Sequence, residues 1–113
     1  MSFLSRLMGQ PSGPVLSADE FVAQREAGAP VLDVRTPAEF AAGHLAAAVN
    51  VDVLAPDFRE RVAALGLPAD GPVYLYCRSG NRSGQAADVL RDLGHQGAVN
   101  VGGFDALRAA GAH

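Results

Sequence analysis

Val73-Tyr74-Leu75-Tyr76-Cys77-Arg78-Ser79-Gly80-Asn81-Arg82-Ser83 is the stretch on which the reading of this chain turns. It passes from an apolar run, through the only cysteine in 113 residues, into a polar loop with one glycine. Gln85-Ala86-Ala87-Asp88-Val89-Leu90 follows at helical spacing, so a helix is expected from Ser83 to Leu93, ended by Gly94. A strand over Val73 to Tyr76 thus leads to a thiol, and a short turn leads from the thiol into a helix. Such a turn aims main-chain N–H groups and the positive end of a helix at one point, and Arg78 and Arg82 add formal charge. A free thiol ionises near ~8.5, and lowering that by ~2 units makes it mostly thiolate at neutral pH. The segment reads as a nucleophilic cysteine in a cradle for an anion, with Gly80 permitting the turn.

Outward from this stretch the same grammar repeats. Ser17 and Glu20 form a capping-box pair opening a helix to about Ala27, with Gly28 and Pro30 as the stop. Val31-Leu32-Asp33-Val34 is a short strand; Thr36, Pro37 and Glu39 start another helix, which Gly43 ends. Ala48-Val49-Asn50-Val51 is a strand, and Phe58 to Leu65 a helix closed by Gly66 and Pro68. Ala98-Val99-Asn100-Val101 is the last strand, and Gly102-Gly103 turns into a helix from Phe104 to Ala110. Strands alternating with helices predict an α/β fold whose parallel sheet is covered on both faces. Ligands in such sheets bind beyond the carboxyl ends of strands, where Cys77 falls. Ala-Val-Asn-Val occurs twice with unlike flanks, which reads as two similar buried strands rather than a duplication.

Bulk composition bounds the rest. The length suits one compact domain, and 49% hydrophobic with 19% charged residues is ordinary for a globular protein. A net charge of −3 with no basic stripe outside the loop argues against nucleic-acid binding. All nine basic residues are arginine, which follows the composition rather than a function. One cysteine cannot close an internal disulfide, which suits a reducing, cytoplasmic setting. No run approaches the ~20 apolar residues of a membrane span, and Ser5 and Arg6 interrupt the start too early for a secretory signal. Residues 1–13 read as an arm and a Gly/Pro/Ser linker, with Phe3, Leu4, Leu7 and Met8 able to share a helical face. Docking on the domain or disorder is expected there over a membrane contact, and the domain itself is expected over 14–113.

Three ordered motifs carry a family resemblance. Val31-Leu32-Asp33-Val34-Arg35 with Glu39-Phe40 and Gly43-His44-Leu45 resembles the first signature of rhodanese-like domains. Tyr76 to Ser83 resembles their active-site loop, and Asn100-Val101-Gly102-Gly103-Phe104 their C-terminal signature. Together they run from about Val15 to Ala110. The resemblance implies a three-layer fold with a five-stranded parallel sheet. It also implies a single-domain sulfurtransferase whose cysteine takes a sulfane sulfur as a persulfide and hands it to cyanide or a thiol. Ala47, where glycine is common, and Leu107, where tryptophan often stands, depart from the pattern and concern packing.

Cys77 is accordingly the candidate catalytic residue, with Arg78, Ser79, Gly80, Asn81, Arg82 and Ser83 as the substrate-binding loop. The two arginines are expected to hold an anionic donor such as thiosulfate, and Ser79 and Ser83 to bond the sulfur or cap the helix. Asp33, Arg35, Glu39 and His44 are expected to be structural neighbours of the site, with an ion pair between Arg35 and Glu39. His95 and His113 read as solvent residues. No cofactor or metal is expected, since three scattered histidines and one cysteine make no ligand cluster. A cysteine phosphatase is the second enzymatic reading, disfavoured because four residues rather than five separate Cys77 from Arg82. A non-enzymatic persulfide carrier, or a module docking on a protein sulfur acceptor, is the alternative outside enzymes.

Overall fold

The structure, a computed structural model, describes residues 14–113. The arm and linker expected over 1–13 lie outside the described residues. Four strands, β1 (Val31–Asp33), β2 (Val49–Asn50), β3 (Val73–Cys77) and β4 (Ala98–Gly103), form one parallel sheet in the order β2-β1-β3-β4. Five helices accompany them: α1 (Ala18–Gln24), α2 (Pro37–Ala41), α3 (Phe58–Ala64), α4 (Asn81–Asp92) and α5 (Phe104–Ala109).

The sheet has four strands where five were expected. The missing one survives as a single parallel bridge between Val15 and Asn100, held by Leu16 N–H to Asn100 O at 2.9 Å. Two residues explain its shortness. Pro14 has no N–H to give a ladder, and Ser17 already caps α1, so only two residues lie between them. The expected three layers, a parallel sheet with helices on both faces, are otherwise present.

Side-chain alternation along the strands builds two cores. Leu32, Val34, Val73, Leu75, Cys77 and Ala98 face one side, where Phe58 and Val62 of α3 and Ala86, Ala87 and Leu90 of α4 cover them. Val31, Tyr74, Tyr76, Val99 and Val101 face the other, under Phe21 of α1 and Leu107 of α5. Every residue of β3 is therefore buried. Its two tyrosines keep their hydroxyls satisfied by accepting backbone N–H groups, Glu26 to Tyr74 and Leu45 to Tyr76, each at 3.1 Å. Leu107 does pack, fully buried, whereas Ala47 is exposed and fills nothing.

Both expected capping boxes form, Ser17 with Glu20 and Thr36 with Glu39. Helix α2 buries no residue of its own, so packing does not anchor it. Its cap and its polar contacts at the carboxyl end of the sheet hold it there. From β1 the chain steps first to β2 on one side, then crosses to β3 on the other. The carboxyl ends of β1 and β3 therefore flank the switch point where open α/β sheets bind ligands.

Candidate active site

Cys77 is the last residue of β3 and has no exposed surface. Its Sγ accepts the Gly80 N–H at 3.0 Å and lies 3.4 Å from Ser83 Oγ. Burial pushes the thiol up. Hydrogen bonds from the Ser83 hydroxyl and the amides of Ser83, Ser79 and Gly80 outweigh it, leaving the thiol below its ordinary value. The donors are neutral and converge because the chain turns from strand to helix within three residues, with Gly80 in the left-handed region at φ 97°.

Two glycines of β4 make that turn possible. A Cβ on Gly103 would stand 2.5 Å from the Arg78 carbonyl oxygen, and one on Gly80 would meet Gly102 Cα at 3.2 Å. Bare backbone lies against bare backbone, so the Gly102-Gly103 pair is a platform for the loop. Between the pairs Leu75–Asn100 and Cys77–Gly103, β4 carries one residue more than β3, a bulge beside the site.

The expected neighbours fall into two groups. Asp33 and Arg35 pair with each other: Arg35 Nε lies 2.9 and 3.0 Å from the two carboxylate oxygens, and Nη2 reaches one at 2.5 Å. Arg35 Nη2 also donates to the Gly43 carbonyl at 2.7 Å, and its guanidinium lies 4.5 Å from the Phe104 ring centre. The pairing expected between Arg35 and Glu39 does not form. Glu39 instead takes Arg82 in a two-pronged bridge, Nη1 to Oε1 at 2.9 Å and Nη2 to Oε2 at 3.0 Å, while also accepting from Thr36. The Arg82 guanidinium, then Thr36, hold the Glu39 carboxyl down to about 2.

Arg82 is thus occupied by a carboxylate and fastens α4 to α2, whereas Arg78 is exposed, its guanidinium unpaired among the described residues. Arg78 lines a pocket of about 170 Å³ with Arg35, Glu39, Ala42, Phe104 and Asp105. Ser79 contributes its amide and Ser83 both amide and hydroxyl, while the exposed Asn81 is the first residue of α4. His44 stacks on Phe40 with ring centres 3.7 Å apart, its Nδ1 3.0 Å from the Phe40 carbonyl. His95, read as a solvent residue, has its Nδ1 2.9 Å from the Pro68 carbonyl. Among the described residues no cluster of three or more metal-ligating side chains occurs, and no helix is long and apolar enough to cross a membrane.

Sequence reasoning missed Asn100. It is 8% exposed, and its amide touches three parts of the site. Oδ1 accepts from Ser83 Oγ at 2.7 Å and from Gly102 N–H at 2.9 Å, and Nδ2 donates to the Gly80 carbonyl at 2.9 Å. The signal was available, since a polar side chain inside the apolar run Ala98 to Val101 must find partners when buried.

Comparison with known proteins identifies the family. Residues 17–110 match the family model described as "Rhodanese-like domain". The chain is 32% identical over 73 residues to thiosulfate sulfurtransferase PspE of Escherichia coli, covering 65% of this chain and 68% of that protein. It is 34% identical over 95 residues to thiosulfate sulfurtransferase GlpE of Pseudomonas entomophila, covering 83% and 84%. The human single-domain sulfurtransferase TSTD1 superposes with a TM-score of 0.68 at 26% identity, covering 87% of this chain and 97% of that one.

Proposed function

The chain belongs to the rhodanese-like family, and from that premise we propose that it is a sulfurtransferase working through a persulfide on Cys77. The observation that carries the proposal is the ring of neutral donors on Cys77 Sγ, which outweighs the burial of the thiol. The Cys77 thiolate attacks the outer sulfur of a small anionic donor such as thiosulfate. A sulfur–sulfur bond forms to Cys77 as the donor's own breaks, and sulfite leaves with the electron pair. An acceptor, cyanide or a thiolate, then attacks the outer sulfur, and the bonding pair returns to Cys77. The amides that favour the thiolate also suit the persulfide anion, because fixed dipoles need no rearrangement as charge moves one atom outward. The relatives named thiosulfate sulfurtransferases support the same donor class.

Of the two loop arginines, Arg78 is the one available to the donor, since Arg82 is engaged by Glu39. With no exposed surface on the sulfur, a donor has to displace part of its cover to reach it. A free thiol with no second cysteine fits a reducing, cytoplasmic setting. Mass spectrometry after incubation with thiosulfate tests the proposal: Cys77 should gain one sulfur atom, cyanide should remove it, and Cys77→Ser should gain none. An unmodified Cys77 under turnover would overturn the persulfide. A persulfide with no turnover to cyanide would make the chain a carrier instead.

A further inference from the structure

Ser83 has one hydroxyl proton and two acceptors, Asn100 Oδ1 at 2.7 Å and Cys77 Sγ at 3.4 Å. The amide of Asn100 cannot turn over to relieve the conflict. Its Nδ2 faces the Gly80 carbonyl at 2.9 Å and its Oδ1 the Gly102 N–H at 2.9 Å, so a flipped amide would set oxygen against oxygen and N–H against N–H. An acceptor is therefore fixed beside the hydroxyl. We propose that Asn100 is a positioning residue that sets the acidity of Cys77 by competing with it for the Ser83 proton. This inference rests on the reading of Cys77 as the nucleophile.

The two protonation states of the sulfur use the hydroxyl differently. Beside the neutral thiol, Ser83 donates to Asn100, and its oxygen is free to accept the S–H. When the thiol ionises, the hydroxyl turns and donates to the sulfur, leaving Asn100 Oδ1 with the Gly102 N–H alone. The thiolate thus gains a bond only by taking it from Asn100, which moderates the acidity that the amides confer. A thiolate held less tightly is also the better nucleophile, since nucleophilicity falls as thiol pKa falls. Asn100 meanwhile holds the Gly80 carbonyl, and so the residue whose N–H bonds Sγ.

The charged groups around the loop stand apart from this contact. They are Arg82 with Glu39 from α4 and α2, Arg35 with Asp33 from the end of β1, Asp52 after β2, and Arg78 and Asp105 at the rim. None of them bonds the Ser83 hydroxyl, and none changes in the variants below.

The test is a double-mutant cycle on the thiol pKa, read from the pH dependence of alkylation in Asn100→Ala, Ser83→Ala and the double variant. Asn100→Ala should lower the pKa by about half to one unit, the scale of the neutral hydrogen bond to Asn100 that the thiolate no longer has to break. In the Ser83→Ala background the same substitution should move it little. An equal shift in both backgrounds, or a rise in Asn100→Ala, would overturn the competition. If circular dichroism shows Asn100→Ala unfolded, the near-isosteric Asn100→Asp replaces it. It should raise the thiol pKa, and by more with Ser83 present than with Ser83→Ala; an equal rise would overturn the inference. Persulfide formation on the unmutated chain is measured in parallel. Its absence would sink the assignment of Cys77 while leaving the cycle to judge Asn100 alone.

Discussion

The carboxyl ends of β1 and β3 lie side by side in the sheet, Asp33 paired in register with Tyr76, and each presents an acidic group with no exposure to solvent. They are provided for in opposite ways. Asp33 receives a full counter-charge from Arg35, on three contacts of 2.5–3.0 Å. Cys77 receives a hydroxyl and main-chain amides, all neutral. A guanidinium occupies the carboxylate it binds and leaves nothing for a reactant. Amide dipoles favour a charged sulfur without neutralising it, so its charge stays available to a reactant. The difference separates a fastening from the proposed reactive site, although both groups sit in similarly buried surroundings.

The largest effect that would test this contrast lies at the fastening. Asp33→Ala leaves the Arg35 guanidinium buried without its partner, which should cost about 3–5 kcal/mol of stability. Urea denaturation checks it. The thiol pKa of the folded fraction should hardly change, because Asp33 is not among the groups bonding the sulfur. A stable Asp33→Ala protein would mean that the Gly43 carbonyl and the Phe104 ring suffice for Arg35.

The reverse experiment is smaller and should behave oppositely. Ser83→Ala removes the first of the contacts that lower the Cys77 thiol, so its pKa should rise by about one unit, roughly 1.4 kcal/mol. Denaturation should barely register the change, since only a small side chain is trimmed. Transfer at neutral pH should fall, then recover as the pH is raised past the new pKa. A rate that stays low in alkali would show that the hydroxyl does more than ionise the sulfur.

Much of this was legible in the sequence, and the omissions have a common cause. Capping boxes, turns and strand runs are local, so Ser17, Thr36 and the segment before Cys77 could be read directly, and the turn of main-chain amides around Cys77 followed from strand, glycine and helix in succession. The shortened fifth strand was hidden because Pro14 and Ser17 limit its pairing only when considered together. Partner choice among charges was not local. Arg35 lies four residues before Glu39, as in a helical pair, yet it is tied within β1's end, and Glu39 meets Arg82 forty-three residues away. Asn50 and Asn100 sit in the same tetrapeptide, Ala-Val-Asn-Val. The first bonds the carbonyls of Asp33 and Arg35 and the second the loop of Cys77, because strand order places them on different neighbours. Topology assigns those roles.

The Arg82–Glu39 bridge lies between the two extremes, with side chains 24% and 26% exposed. Its carboxyl is depressed in the folded state to about 2, so the bridge stabilises fully above the unfolded value of 4.5 and is lost as pH falls through about 2. Discounted for solvent, that amounts to about 1 kcal/mol. Urea midpoints measured between pH 4.5 and 2 should fall more steeply for the unmutated chain than for Glu39→Gln. Equal slopes would reduce the bridge to a surface contact of no consequence.

The smallest effect belongs to Arg78, the loop arginine paired with no carboxylate among the described residues. If it draws the donor electrostatically, Arg78→Ala should raise KM for thiosulfate by about two- to fivefold at low ionic strength, the scale of one exposed ion pair, and leave kcat close to unchanged. The gap between the two proteins should close as salt rises towards ~1 M, where the screening length shrinks to about 3 Å. The thiol pKa should stay put in the same variant, because Arg78 stands at the rim while the amides hold the sulfur. A KM ratio that persists in high salt would mean that Arg78 acts by contact or by shaping the pocket beside Phe104, and the division between neutral donors inside and free charge outside would have to be redrawn.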